Sequence, residues 1–333
     1  MPAPARVLAV HPARAVEGGR VTIAGEGFSV DGPRLPEVRI GGRRARVVFA
    51  SQSIIGALVP TALAEGGHVA VEVEDAGGDP VFVEILPPFV SGLHQVDSPV
   101  FDGDGNLFVT YSGTRGQQVP VSIFRVRPDG ARETFSSDIV NPTALAVGPD
   151  GHLYVSSRFA GTVYRLGADG EAEPFATDLG IACGLTFAPD GTLFVGDRSG
   201  TVFAVDPDRR VSVFASLPPS VAAYHLALRR DGTVFVTGPT LSTFDRVYEI
   251  AVGGAVTVRP ERFGRPQGLA IDAAGDLCVV EALAGMTGLY RLTSGGEPEL
   301  VLAAPSLIGV AFGPDGGLVV CSNETAYRTR QRT

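Results

Sequence analysis

The sequence predicts an all-β chain in which a small β-sandwich precedes a six-bladed β-propeller. Three observations carry this expectation. Gly 43 and Pro 25 make up about a fifth of the 333 residues, a proportion suited to many tight turns and poorly suited to long helices. A fixed phrase recurs through the last three quarters of the chain, and the first 88 residues carry strand-like phrases of a different rhythm.

The recurrence is the primary signal. GLTFAPDGTLFVGD (184–197) returns as ALAVGPDGHLYVSS, HLALRRDGTVFVTG, GLAIDAAGDLCVVE, GVAFGPDGGLVVCS and, more loosely, SPVFDGDGNLFVTY. Its turn glycines are Gly105, Gly151, Gly191, Gly232, Gly275 and Gly316, spaced by 46, 40, 41, 43 and 41 residues. Each unit reads as four short alternating strands, in the second unit TALAV, HLYVSS, TVYRL and EAEPFAT, parted by Gly-containing turns. A single four-stranded sheet cannot cover both of its faces, so units of this period stack radially as propeller blades. After Gly316 only 17 residues remain, too few to complete the last unit. Part of the apolar segment between Val81 and Leu93 is therefore expected to supply the missing outer strand and hide the edge.

Residues 1–88 contain VLAVHP, EGGRVTIAGEGF, VRIGGRRARVVFA, IIGALVP and GGHVAVEVEDAGG, the pattern of a small sandwich. A Pro follows the first strand, a G-x-G-F turn the second, a Gly-Gly hairpin joins the next two, and Val-Pro ends a later strand. In these respects the segment resembles the immunoglobulin-like IPT/TIG domain, and such domains serve as spacers, dimerisation surfaces or binding modules. The expected division is thus 1–88 and 89–333, with a protein partner conceivable through the amino-terminal domain.

Composition excludes several classes. All 27 basic residues are arginine, which removes Schiff-base lysines and a phosphate-loop lysine. The net charge of -9 is spread along the chain, which argues against a nucleic-acid partner. Uncharged stretches such as Val47–Ala64 are broken by Ser, Gln and Pro, so no membrane partner is expected. Arg6 is followed only by VLAV before His11-Pro12, too short for the apolar core of a signal peptide. A cytoplasmic location is the resulting expectation, with secretion open if a leader has been trimmed. Cys183, Cys278 and Cys321 lack CxxC spacing and read as buried free thiols.

Chemistry is expected where loops vary. One face carries monotonous GPDG and APDG hairpins, whereas the other carries SGTRGQQVP (112–120), Arg158-Phe159, Asp197-Arg198-Ser199, GPTLSTFDR (238–246) and EALAGMTG (281–288). Eight residues before each turn glycine lie Asp97, Thr143, Cys183, Tyr224, Gln267 and Ile308, the positions expected nearest the axis. A mouth with Asp97, Asn141, Arg158, Asp197, Arg198, His225, Gln267 and Glu281 suits a small polar or anionic molecule, or one hard cation with oxygen ligands. Arg158 and Arg198, equivalent in adjacent blades, could clamp a carboxylate or phosphate, though repetition alone also produces such a pair. Asp197 reads either as an acceptor for amides of its own turn or as a ligand; His225 as a buried imidazole, a channel donor or a general base; Arg115 as a gate or a solvated side chain.

The hydrophobic-x-PDG-x-L-x-V grammar resembles the senescence-marker-protein/gluconolactonase family of six-bladed propellers, and also NHL-repeat propellers. The first resemblance implies a calcium or zinc ion at the channel mouth and hydrolysis of lactones or sugar acids, with an acidic group taking a proton from attacking water. Asp97-Ser98-Pro99 matches the family's Glu-Gly-Pro, so Asp97 is the implied first metal ligand. The later ligand positions are Tyr224 and Gln267, so Asp197 or Glu281 would have to complete the shell, with Glu281 or His225 in the proton-transfer role. The second resemblance implies a non-enzymatic protein-interaction scaffold.

Overall fold

The computed structural model describes residues 4–30, 32, 34–63, 65–94, 97–283, 285–293 and 295–329. Every regular element in it is a β-strand, and among the described residues no helix is long and apolar enough to cross a membrane.

The sandwich has two layers. Arg6–His11, Arg20–Glu26, Ile54–Leu58 and Arg43–Ala50 form one sheet, and Val38–Ile40, Gly67–Val73 and Val81–Ile85 the other, with Arg43–Ala50 pairing into both. Alternation does the sorting: in Arg20–Glu26, Val21 and Ile23 are fully buried while their neighbours face outward. Val21, Ile23, Val38, Ile40, Ile55 and Val83 share one core.

Six four-stranded sheets follow. Five are separate, and the sixth, from Pro266–Ile271 out to Glu299–Ala303, is continuous with the sandwich. The first strands of neighbouring blades touch one another around the axis, and the ring closes between the first and sixth blades. The second strands of the first five blades, such as Leu107–Thr110, Leu153–Ser157 and Leu193–Asp197, are buried at every residue. The reason is that each blade is covered on both faces. Val195 packs with Tyr154 and Val163 of the second blade, whereas its neighbour Phe194 packs with Leu226 and Val234 of the fourth. Cys183, Cys278 and Cys321 lie in such inter-blade cores as buried free thiols.

Closure follows the arithmetic of the repeat. The last blade runs Leu307–Phe312, Leu318–Ser322 and Thr325–Arg328, and its fourth strand is Pro88–Ser91, paired antiparallel with Thr325–Arg328. The first blade is the loosest copy in sequence, and its inner strand shrinks to Val100–Phe101. On the PDG face, the Asp side chain takes the amide two residues on, as Asp150 does from His152 at 3.1 Å and Asp190 from Thr192 at 2.9 Å. Gly151 and Gly191 follow at φ +79° and +89°, a region open to glycine. The repeated phrase is thus turn chemistry.

Arg14–Ala15 joins the two halves. Ala15 pairs in parallel with Ile85 of the sandwich and with Ala303, in the outer strand of the fifth blade. The amide of Val16 donates to the Ala303 carbonyl and that of Leu86 to the Ala15 carbonyl, each at 2.9 Å. Ala303 is buried in the sandwich core, so part of the amino-terminal domain's surface is taken up within the chain.

Candidate functional site

The blade repeat decides which side chains reach the channel mouth. Counted from the turn glycine, the sixth residue is Ser157, Asp197, Glu281 or Ser322 in four blades, and all four bind backbone. Asp197 Oδ1 accepts the amides of Ile181 at 2.8 Å and Ser199 at 3.1 Å, and the Ser199 hydroxyl donates to its other oxygen. Glu281 accepts the amides of Gly264 at 2.5 Å, Arg265 at 3.0 Å and Leu283 at 2.7 Å. Ser157 donates to the Val140 carbonyl at 2.6 Å and Ser322 accepts the Thr325 amide at 3.2 Å. These residues tie the end of the second strand to its adjoining loops.

The seventh residue points the other way. Arg158, Arg198, Ala282 and Asn323 occupy this position and line a cavity of about 390 Å³ at the mouth. Their backbone is held in a repeated manner: Arg158, Arg198 and Ala282 donate to the carbonyls of Asn141, Ile181 and Arg265, at 3.2 Å in each case. The start of the inner strands adds Asp97, Cys183, Gln267 and Ile308, and the preceding loops add Arg265 and Ser306.

Three guanidinium groups from three blades therefore share one cavity with a single carboxyl. Burial pushes Asp97 up to about 6, and nearby Arg158 only partly opposes this. Burial, and then the charge of Asp97, push the Cys183 thiol up to about 12, so it is not a nucleophile at neutral pH. Arg198 Nε donates to the Ser220 carbonyl at 3.2 Å, and Arg158 Nη2 to Ser112 Oγ at 3.3 Å.

Of the residues nominated from sequence, Asp97, Arg158, Arg198 and Gln267 come together on the cavity wall. Asn141, Asp197, His225, Glu281 and Arg115 are not on it. Asn141 is fully buried and holds the loop of the first blade: its Oδ1 accepts the Gly116 amide at 2.6 Å and its Nδ2 donates to the carbonyls of Gly113 and Thr114 at 2.9 and 3.0 Å. His225 is buried with neither ring nitrogen at hydrogen-bonding geometry. Burial lowers its pKa to about 4, against a weak opposing contribution from Gln267, so it is neutral at pH 7. Arg115 is exposed on the loop that Asn141 pins. Tyr224, expected at the axis, packs between the third and fourth blades and donates its hydroxyl to the Pro218 carbonyl. Two lining residues, Arg265 and Asn323, were missed by the sequence reading. Asn323 shares the seventh position with Arg158 and Arg198, and that equivalence was the available signal. Arg265 precedes its turn glycine by ten residues, a position not considered.

The donor set does not fit a divalent cation. Among the described residues Asp97 is the one carboxyl on the cavity wall, its ionised form is disfavoured, and Arg158 stands beside it. The expected pairing of Asp97 with Asp197 or Glu281 is not made, because both of the latter face amides. Among the described residues no three His, Cys, Asp or Glu side chains gather as metal ligands.

Fold and site together define a class: an immunoglobulin-like domain followed by a six-bladed propeller with an arginine-lined cavity at one mouth. Residues 5–84 match the IPT/TIG domain family, and this segment is such a domain. The propeller has the fold of gluconolactonase-like proteins. One of these is 19% identical over 72% of this chain and 90% of its own, with a TM-score of 0.59. A glucose-dehydrogenase-like oxidoreductase from Thermus thermophilus is 21% identical over 73% of this chain and 98% of its own, at 0.57. An auxiliary nutrient binding protein from Bacteroides thetaiotaomicron matches over 98% of both chains at 12% identity and 0.55. At such identities the likeness is one of fold. No curated protein sequence is significantly similar to the chain.

Proposed function

We propose that the protein binds a small anionic molecule at the propeller mouth through Arg158, Arg198 and Arg265. The observation that carries this reading is their convergence, from the second, third and fifth blades, on one cavity with a single opposing carboxyl. Guanidinium groups grip carboxylate or phosphate through paired N–H donors, and Gln267 and Asn323 provide amides for further polar groups of the ligand. The volume falls within the range of small-molecule sites. The nutrient-binding name of a protein of matching length is in keeping with this reading. An open mouth also favours ligand binding over a scaffold with a plugged channel. Calorimetric titration of mono-, di- and tricarboxylates, sugar acids and phosphate esters tests it. Binding that weakens in each arginine-to-alanine variant supports the reading, and the absence of binding by any anion refutes it.

A second reading, hydrolysis of a lactone at the same mouth, draws on Asp97. A carboxyl with a pKa near 6 facing a cavity is suited to moving a proton at neutral pH. Lactone turnover that is lost in Asp97→Asn, while anion binding persists, would support it.

A further inference from the structure

The rim around the arginine-lined cavity carries large exposed apolar side chains. Among the described residues of the propeller, the large exposed hydrophobic side chains other than Val221, which lines the cavity itself, fall into two groups. Val211, Val213, Val252, Val256 and Val258 lie on outer strands of the third and fourth blades or the turn beside them. All the exposed Phe and Leu residues lie on the mouth: Phe159 at 55% exposure, Leu241 at 92%, Phe244 at 52% and Leu283 at 66%. Phe159 and Leu283 directly follow the cavity residues Arg158 and Ala282. Leu241 and Phe244 stand on the loop after the fourth blade's second strand. That loop is tied to the cavity wall where the amide of Val221 donates to the Pro239 carbonyl at 2.8 Å. A folded chain gains nothing for its own stability from four such side chains in water, and exposed apolar residues gathered around a polar cavity mark a binding surface.

We propose that the ligand is an amphipathic anion, a medium-chain carboxylate whose head sits among Arg158, Arg198 and Arg265 and whose hydrocarbon body leaves over the adjacent fourth and fifth blades, across Leu241, Phe244 and Leu283. This rests on the anion-binding reading above and narrows it. The chemistry is complementary part by part: cationic donors inside the cavity and exposed apolar side chains at its edge. The occupant is a single dissolved molecule and not a bilayer surface. The chain's net charge of -9 opposes adhesion to an anionic membrane, and the arginines share their cavity with the carboxyl of Asp97.

The test is calorimetric titration of the whole chain, at pH 7.5 and below micelle-forming concentrations, with straight-chain carboxylates from butyrate to decanoate. Decylammonium and phosphatidylglycerol vesicles serve as controls. Affinity should rise roughly threefold per added methylene, the factor expected when each is largely removed from water. Decylammonium should not bind. Leu241→Ser combined with Phe244→Ser should bring decanoate down toward butyrate, with unchanged thermal unfolding showing the variant intact. Short carboxylates that bind with no dependence on chain length would overturn this inference and leave the anion reading standing. No binding by carboxylates of any length would overturn both. Vesicle binding without binding of dissolved decanoate would overturn the choice of occupant.

Discussion

The carboxylate of Glu281 accepts the backbone amide of Arg265 at 3.0 Å, while the side chain of Arg265 lines the cavity. The acid thus acts on the mouth through another residue. With the Gly264 and Leu283 amides also on its oxygens, Glu281 fastens both loops of the fifth blade that flank the cavity. Glu281→Ala leaves three amides to find other partners. Urea unfolding is expected to show a loss of about 2–4 kcal/mol, and anion affinity should fall with the displacement of Arg265. Glu281→Gln keeps the acceptor oxygen and should lose less on both counts.

Arg158, Arg198 and Arg265 should contribute comparably to anion affinity, because they reach one cavity from separate blades. Replacing any one by alanine is expected to weaken binding by about ten- to a hundredfold, the range of a charge-assisted hydrogen bond. Lysine at the same position should recover only part of this, since it offers a point charge in place of two parallel donors. Titration of each variant against the parent checks both statements.

Asp97 makes binding depend on pH. With its pKa raised to about 6, it is mostly ionised at pH 7.5 and mostly protonated at pH 5, so an anionic ligand meets one negative charge fewer in acid. Affinity for a ligand that stays ionised should therefore increase as pH falls through 6. In Asp97→Asn that dependence should vanish. The stability effect has a defined sign. A carboxyl whose folded pKa exceeds the ordinary 3.8 favours the fold fully below that value, and this contribution is lost as pH rises through 6. Asp97→Asn should accordingly be more stable than the parent at pH 7.5, by on the order of 1–3 kcal/mol in urea unfolding.

His225 works in the opposite sense. Its folded pKa near 4 lies below the ordinary 6.5, so the unfolded chain takes up a proton first. The neutral buried ring contributes its stability above pH 6.5, and that contribution is lost as pH falls toward 4. The parent should weaken between pH 6.5 and 4, while His225→Leu should lose less over the same interval. Because Asp97 has the opposite slope between about 4 and 6, stability in Asp97→Asn should rise more steeply with pH there than in the parent. Thermal scans at half-unit intervals resolve the two contributions.

The amino-acid sequence by itself determined the architecture. Turn glycines at a nearly constant period, strands alternating between apolar and polar residues, and a last unit lacking a strand left few arrangements open. The borrowing of Pro88–Ser91 as the outer strand of the last blade followed from counting residues. Local chemistry was enough, because turn preference and side-chain alternation act over a few residues. The site was legible only in part. Sequence placed Asp97 and Gln267 near the axis and Arg158 and Arg198 on the rim, and the structure gathers these four on one cavity. It could not separate Asp197 from Arg198, neighbours in the chain whose side chains leave on opposite sides of the backbone. One closes a turn and the other faces the ligand space. Which neighbour points inward depends on where each strand crosses the rim and on which amides lack partners there. Only the packed ring of blades decides this. For the same reason Glu281 and Asn141 are occupied by backbone groups, and Arg265 emerges as a wall of the cavity.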